Sequence, residues 1–369
     1  MTSTPARAVT RLASRATLAL MAAFSGLEAT GTAAWADGIA KEQFGGMDLP
    51  NRGQPTSFGF YAKGCISGAV AIPTDGPTWQ AMRLSRNRRW GNPELIALLE
   101  RFSKDAKRLD GWNGLLLGDI SQPRGGPMKS GHASHQIGLD ADIWLTPMPS
   151  RTLSATERET ISARSMLKPN AFLTVDDRVW DDSHARVIMR AASYPQVERI
   201  FVNPAIKKKL CDTWTGDRSN LGKVRPFYGH DYHFHIRIHC PAGSIGCKAQ
   251  DPVPEGDGCG KQLAYWYSKA PWAQSKPKPD AKPPKPPRPI MVSDLPKACT
   301  AVLQAPAVPS MASATFGGAN ALAFAQTAPP AAPVEASAPT PVNGTGQALI
   351  GGADNPSLPE FGPYPYPRP

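Results

Sequence analysis

One run constrains the fold more than any other: Gly229-His230-Asp231-Tyr232-His233-Phe234-His235-Ile236-Arg237-Ile238-His239-Cys240. From His233 on, polar and apolar residues alternate, which predicts a strand. His233, His235, Arg237 and His239 then share one face, and Phe234, Ile236, Ile238 and Cys240 share the other. The apolar face needs helices to pack on. The polar face presents imidazoles at i and i+2, where a solvated strand would carry Lys, Thr or Glu. A second run is its counterpart: Gly131-His132-Ala133-Ser134-His135-Gln136-Ile137-Gly138-Leu139-Asp140-Ala141-Asp142-Ile143-Trp144. Its latter half predicts a strand with Leu139, Ala141, Ile143 and Leu145 on one face and Asp140, Asp142 and Trp144 on the other. Gly131 and Gly138 let the preceding loop bend. Either His pair alone fits ordinary surface hydrogen bonding. All seven histidines except His184 fall in these two runs, and composition does not explain that.

The rest of the chain supplies the frame. Asn92-Pro93-Glu94 predicts a helix start, with an N-cap, Pro at N1 and an acid in the first turn. Leu95, Leu98, Leu99, Phe102, Ala106 and Leu109 follow at helical spacing as a buried stripe. Gly111 and Asn113-Gly114 turn the chain into a buried strand over Leu115 to Ile120, and a Gly/Pro loop delivers the His132/His135 run. Ser154 to Glu157 has the capping-box pattern, within a polar excursion that reaches Asn170. A helix is expected from Asp182 to Tyr194, a strand over Val197 to Val202, and a helix from Asn203-Pro204 to about Cys211. His184, near a helix N-terminus, is expected to be structural. Gly64 to Val70 suits an edge strand or turn. The fold class expected is α+β, a central antiparallel sheet flanked by helices and long loops. The basic run from Met82 to Trp90 leaves two readings open, a solvated surface or contact with a carboxylate-bearing polymer.

Arg7, Arg11 and Arg15 precede an Ala/Leu-rich stretch from Ala16 to Gly26, and Ala34-Trp35-Ala36 gives an A-x-A-like cleavage site before Asp37. A membrane anchor needs about 20 apolar residues, and Glu28 interrupts this stretch. Residues 1–36 are therefore expected to be a signal peptide of an exported protein. In that setting the six cysteines (Cys65, Cys211, Cys240, Cys247, Cys259 and Cys299) predict disulfides. None sits in a C-x-x-C pair. Fifteen pairings are possible; Cys240 and Cys247 are close enough for a local bridge, and Cys299 suggests a tie back to the core. Much of the net charge of +11 lies in the leader and in the Lys/Pro stretch, so it says little about the folded part. The organisation expected is an extended approach segment over 37–63, a catalytic domain over 64–270, a Lys/Pro-rich linker over 271–300 and an Ala/Pro-rich disordered tail over 301–369.

If the two His-bearing strands are antiparallel neighbours, Asp142 and His235 can meet across the ladder, with His135 arriving from the loop. Two nitrogens, one oxygen and an open position make the ligand count of a catalytic zinc site. Zinc lowers the pKa of water from 15.7 to about 7 and polarises a carbonyl. Amide hydrolysis also needs a proton shuttle, and His233, with an ordinary pKa of about 6.5, suits it. His230 and His132 would hold a ligand or stabilise an oxyanion. No H-E-x-x-H helix is present.

His135-x6-Asp142 with His233-x-His235 resembles the LAS group of zinc peptidases, which spans lysostaphin-like endopeptidases, D-Ala-D-Ala carboxypeptidases and the hedgehog N-domain. A longer likeness is to the penicillin-insensitive murein endopeptidases (peptidase family M74). Met82-Arg83 to Pro93, Gly131 to Gln136, Arg199 to Lys207, Val224-Arg225-Pro226 and Gly256-Asp257-Gly258-Cys259-Gly260 carry it, over roughly Gly64 to Cys299. The resemblance implies a periplasmic zinc metallo-endopeptidase of LAS-type core. It would cut D-alanyl–meso-diaminopimelyl cross-links of peptidoglycan without a penicillin-sensitive serine. By position His135, Asp142 and His235 match zinc ligands, His132 a further histidine at the metal centre, and His233 and His230 active-site histidines. It also implies bridges Cys65–Cys299, Cys211–Cys259 and Cys240–Cys247. The family's additional Asp/His pair falls in Lys168 to Thr174, where this chain has Asn170, Ala171 and Thr174, which argues against a second metal. Peptidoglycan is the partner implied, with no nucleic acid and no membrane-spanning segment after leader removal; oligomerisation stays open. The alternatives are a D,D- or L,D-carboxypeptidase on uncrosslinked stem peptides and a non-catalytic peptidoglycan-binding protein.

Overall fold

A computed structural model describes residues 37–273 and 288–317. The expected leader at 1–36, the Lys/Pro-rich residues 274–287 and the tail from 318 lie outside the described residues.

The core is a mixed seven-stranded sheet in the order Val224–Pro226, Val197–Val202, His233–Ile238, Asp140–Trp144, Leu115–Leu117, Trp79–Ala81, Asp75–Gly76. Its centre is antiparallel: His233–Ile238 runs against both Val197–Val202 and Asp140–Trp144, and Asp140–Trp144 runs against Leu115–Leu117. Parallel pairings lie to either side, Val197–Val202 with Val224–Pro226 and Leu115–Leu117 with Trp79–Ala81. The chain is thus α+β, with the two His-bearing strands side by side at the middle. In their register His235 faces Asp142 and Arg237 faces Asp140.

Helices cover the sheet because their stripes match its apolar residues. In Pro93–Asp105 the Asn92 side chain accepts from the Glu94 amide at 3.0 Å, capping the first turn. Leu95, Leu99 and Phe102 from that helix share one core with Val187 and Ile188 of Asp182–Ser193, Ile206 of Pro204–Thr213, and Ile143, Phe234 and Ile236 of the sheet. The predicted stripe fails at its last member. After Asp105 the chain widens into a π turn over Ala106–Asp110, and Leu109 is 42% exposed. The wider turn carries it out of phase with the 3.6-residue repeat.

Three other expectations are corrected. The His233 strand stops at Ile238, and His239 is exposed, because the chain turns there into the loop closed by Cys240–Cys247. The approach segment is more than extended chain: it holds a helix, Ala40–Gly45, that buries Phe44, and a strand, Thr56–Phe60, paired with Lys63–Ser67. Order also continues past residue 300. The helix Lys297–Gln304 packs Cys299, Val302 and Leu303 against Ala40, Phe44 and Cys65. Arg124 Nη1 donates to the carbonyls of Val302, Leu303 and Ala305 at 2.7, 2.7 and 2.8 Å, satisfying the helix end. Farther on, the Phe316 amide donates to Ala71 O. Ala/Pro-rich composition discourages a core of its own, but it does not prevent docking on one that exists already.

All six cysteines are bridged, as Cys65–Cys299, Cys211–Cys259 and Cys240–Cys247. The first joins residues 234 apart and anchors the whole 288–317 segment. Replacing Cys65 and Cys299 together by Ala is expected to cost about 2–5 kcal/mol. Hydrogen exchange should show faster exchange first in 288–317 and Ala40–Gly45; unchanged protection there would contradict the anchoring role. Among the described residues no helix is long and apolar enough to cross a membrane.

Candidate active site

Five of the histidines singled out in the sequence converge on Asp142. His135 enters from the loop before the Asp140–Trp144 strand, in a left-handed conformation at φ 65°, and is fully buried. Gly138, three residues on, has φ 70°, and a Cβ there would lie 2.5 Å from Ile66 Cδ1. The loop that aims His135 thus depends on that glycine. Asp142 Oδ1 sits 3.4 Å from His135 Nε2, 3.6 Å from His233 Nε2 and 3.8 Å from His235 Nδ1. His132 Nε2 approaches the other oxygen at 3.5 Å. The His230 ring lies 4.9 Å from that of His233 and 5.8 Å from that of His235. His230 also has a positive φ of 53°, so two non-glycine residues of the cluster hold an uncommon backbone.

In four of the five rings one nitrogen is tied, which fixes the tautomer. His135 Nδ1 lies 2.6 Å from Ile120 O and must donate to it, leaving Nε2 with a lone pair. His235 Nε2 lies 2.8 Å from Asp140 Oδ1, leaving Nδ1 with a lone pair. His230 Nδ1 donates to Tyr228 O at 2.6 Å. His132 Nε2 is spent on Asp119 Oδ2 at 3.0 Å. Burial pushes His233 down to about 4 and His235 to about 3, against the pull of Asp142 and Asp140 respectively, so both are neutral near pH 7. At His135 burial also opposes the imidazolium. There Asp142 and Asp140 outweigh it, and the pKa ends above the usual value. The carboxylates favour positive charge at that point.

His135 Nε2, Asp142 Oδ1 and His233 Nδ1 are buried without a hydrogen-bond partner among the described residues. Buried polar atoms normally find a partner, and orphans call for a reason. Two of them face each other across the centre of the cluster. His132, His135 and Asp142 offer ligand atoms all within 4.8 Å of one another, and His235 Nδ1 adjoins the same Asp142 oxygen. A cation held there would satisfy the orphaned pair at His135 and Asp142.

Two carboxylates that the motif reading passed over shape this cluster. Asp140 is fully buried, accepts from His235 Nε2 and from Arg237 Nε at 2.7 Å, and accepts from the His135 amide at 3.0 Å. Burial raises its pKa, but Arg237 and His235 outweigh that and hold it below the usual carboxylate range. Asp119 gathers His132, Arg88 at 2.9 Å and Arg86 at 3.1 Å on one oxygen. These partners overcome its burial and hold its pKa near 2. Asp140 could have been found from the strand pattern, since it shares a face with Asp142. Asp119 had no such signal. His184 is structural, as expected: it completes a capping box with Asp181, and its Nε2 lies 3.1 Å from Leu145 O. His239, 58% exposed at its side chain, stays outside the cluster.

A cluster of imidazoles around a buried carboxylate, reached from a cleft lined by His132, Asp142 and His233, fits a hydrolase, and comparison with known proteins resolves the class. The profile of the penicillin-insensitive murein endopeptidase family matches residues 57–304. The chain belongs to that family and is a peptidase. It is 44% identical to the penicillin-insensitive murein endopeptidase of Haemophilus influenzae over 237 residues, 63% of this chain and 81% of the relative. It is 40% identical to the Klebsiella pneumoniae protein of the same name over 263 residues, 69% of this chain and 88% of that one. The Yersinia pestis counterpart is also 40% identical, over 261 residues, 69% of this chain and 87% of the relative.

Proposed function

We propose that the protein is a zinc-dependent murein endopeptidase that hydrolyses D-alanyl–meso-diaminopimelyl amide cross-links of peptidoglycan in the periplasm. The observation that carries the metal is the orphaned, fully buried pair His135 Nε2 and Asp142 Oδ1. Ligand atoms bound to a tetrahedral zinc at about 2.0–2.1 Å lie roughly 3.3 Å from one another. The 3.4 Å separation of His135 Nε2 from Asp142 Oδ1 fits that spacing, and His235 Nδ1, at 3.8 Å, stands about half an ångström wider. His135, Asp142 and His235 are the ligands in this reading. His132 belongs beside them rather than among them, because its nearest nitrogen already donates to Asp119.

When bound, zinc supplies Lewis acidity, which makes a water acidic at neutral pH and polarises a carbonyl. The chain supplies the rest. Neutral His233 accepts a proton at Nε2, the nitrogen that faces Asp142, and returns it to the leaving amine. His230 carries its proton on Nδ1, bound to Tyr228 O, so its Nε2 accepts hydrogen bonds beside His233. Asp140 holds His235 in the tautomer that presents Nδ1.

The relatives' names, and a cleft that holds this cluster, support cross-linked peptidoglycan as substrate. Purified muropeptide dimers should be split to monomers, and a chelator should abolish the cleavage until zinc is restored. Trimming of monomers with dimers left intact would favour the carboxypeptidase alternative and sink this reading. A folded protein that binds sacculi and cleaves nothing would favour a binding role.

A further inference from the structure

We infer that Arg86 reads a substrate carboxylate beside the scissile bond, an inference that rests on the endopeptidase reading above. The cleft, about 240 Å³, is lined by Arg86, Asp119, His132, Asp142, Tyr232 and His233 among others. Arg86 reaches it from a short 3-10 turn, Leu84–Arg86, bracketed by Arg83 at φ 55° and Asn87 at φ 51°. Left-handed backbone at two non-glycine residues persists only where the surroundings hold it. Here they do. Glu159 accepts from the Ser85 amide at 2.8 Å and from its hydroxyl at 2.9 Å. Asn87 accepts from Trp90 Nε1 at 2.8 Å and donates to Asp48 O at 3.0 Å. The turn is pinned, so its arginine is placed rather than loose.

Of the four arginines of this run, Arg89 turns away to Ile72 O and the Trp90 ring, and the other three have different tasks. Arg83 donates to the carbonyls of Arg158 and Ile161 at 2.7 and 2.6 Å and lies over the Trp144 ring. Arg88, with a side chain only 9% exposed, pairs with Asp119 and also donates to Ser130. Arg86 is 47% exposed at its side chain and meets the same Asp119 oxygen through one nitrogen. One carboxylate thus serves two guanidiniums, and the inner one matches its charge. Glu159, a second carboxylate near this turn, takes its hydrogen bonds from Ser85 and feels Arg83 and Arg86 only at longer range. The outer guanidinium keeps a charge and a planar fork of donors facing the cleft, the geometry that takes a carboxylate in two parallel hydrogen bonds. It is one step from the centre, since His132 Nε2 shares that Asp119 oxygen and lies 3.5 Å from Asp142 Oδ2.

The proposed cross-link supplies the match. Its amide nitrogen is attached to a carbon that also carries a free carboxylate, on the leaving side of the bond. Arg86 would bind that group and set the amide against the centre, as a specificity residue with no proton to move.

The test uses purified dimers with this carboxylate either free or amidated, cleaved by the zinc-loaded wild type and by Arg86→Gln. Charged hydrogen bonds of this kind give a loss of roughly ten- to a hundredfold in kcat/KM when one partner is removed. The wild type is expected to lose that much on amidated dimers. Arg86→Gln should lose as much on free dimers and nothing further on amidated ones. A wild type that cleaves both dimers within about twofold overturns the inference whatever the variant does. So does an Arg86→Gln protein, with the wild-type melting temperature, that keeps the preference for the free carboxylate. If the wild type cleaves neither dimer, the endopeptidase reading falls first and takes this one with it.

Discussion

A His135→Ala variant is expected to copurify without zinc and to cleave cross-linked dimers about a thousandfold more slowly, or worse. Lewis-acid stabilisation at such a centre is worth several kcal/mol, and each 1.36 kcal/mol is a factor of about ten in rate. His135 is the sharpest probe because its environment leaves it one task. It is fully buried, its Nδ1 is fixed by Ile120 O, and its Nε2 has no hydrogen-bond partner among the described residues. The substitution therefore removes a ligand, and leaves the buried Asp142 carboxylate with His132, His233 and His235 still beside it. Two readouts separate loss of metal from loss of fold. Zinc should raise the melting temperature of the chelator-treated wild type, since a ligand that binds only the native state stabilises it by mass action. The same addition should leave His135→Ala unmoved, with all three disulfides intact. A folded, zinc-free His135→Ala protein that cleaves at the wild-type rate would remove the metal from the mechanism.

The parts of this centre that were legible in the sequence are those written in a strand's period of two. Alternation placed His233 and His235 on one face of one strand and Asp142 on a face of the other. The register then set His235 opposite Asp142. Helix starts were legible for a similar reason, because Asn92, Asp181 and Asn203 cap through local side-chain bonds that depend on neighbours in the chain. What stayed hidden was set by partners far along the chain. Leu109 left its stripe because the helix changed pitch after Asp105. Residues 301–317 are ordered because Cys65 and Arg124 hold them, neither of which is nearby in sequence. Asp119 reads as the end of a strand, and only the folded chain brings Arg86, Arg88 and His132 to its single oxygen. The basic run had two open readings; the fold puts Arg83 and Arg86 on the cleft wall, which a solvated face alone would not require.

Asp140 shows how far the same alternation could have been taken, and Asp140→Asn is expected to have the second largest effect. The residue lies on the Asp142 face, two positions away, and its register partner is Arg237. In the fold it fixes the His235 tautomer, neutralises a guanidinium stacked 4.0 Å from the Tyr61 ring, and accepts from the His135 amide. Asparagine keeps the shape and removes the charge. Its amide can present N–H toward His235 Nε2, which favours the tautomer that protonates Nδ1, the nitrogen proposed to bind metal. Losing a partner of this kind lowers metal affinity or activity about 10–100-fold. Leaving Arg237 buried and uncompensated costs about 3–5 kcal/mol of stability. The two effects are separable, because zinc affinity can be measured by competition with a chromophoric chelator well below the variant's melting temperature. A stably folded Asp140→Asn protein with wild-type zinc affinity would confine Asp140 to supporting Arg237. Weakened zinc affinity in a protein that is still folded would tie the buried carboxylate to the metal ligand, which the loss of stability alone cannot do.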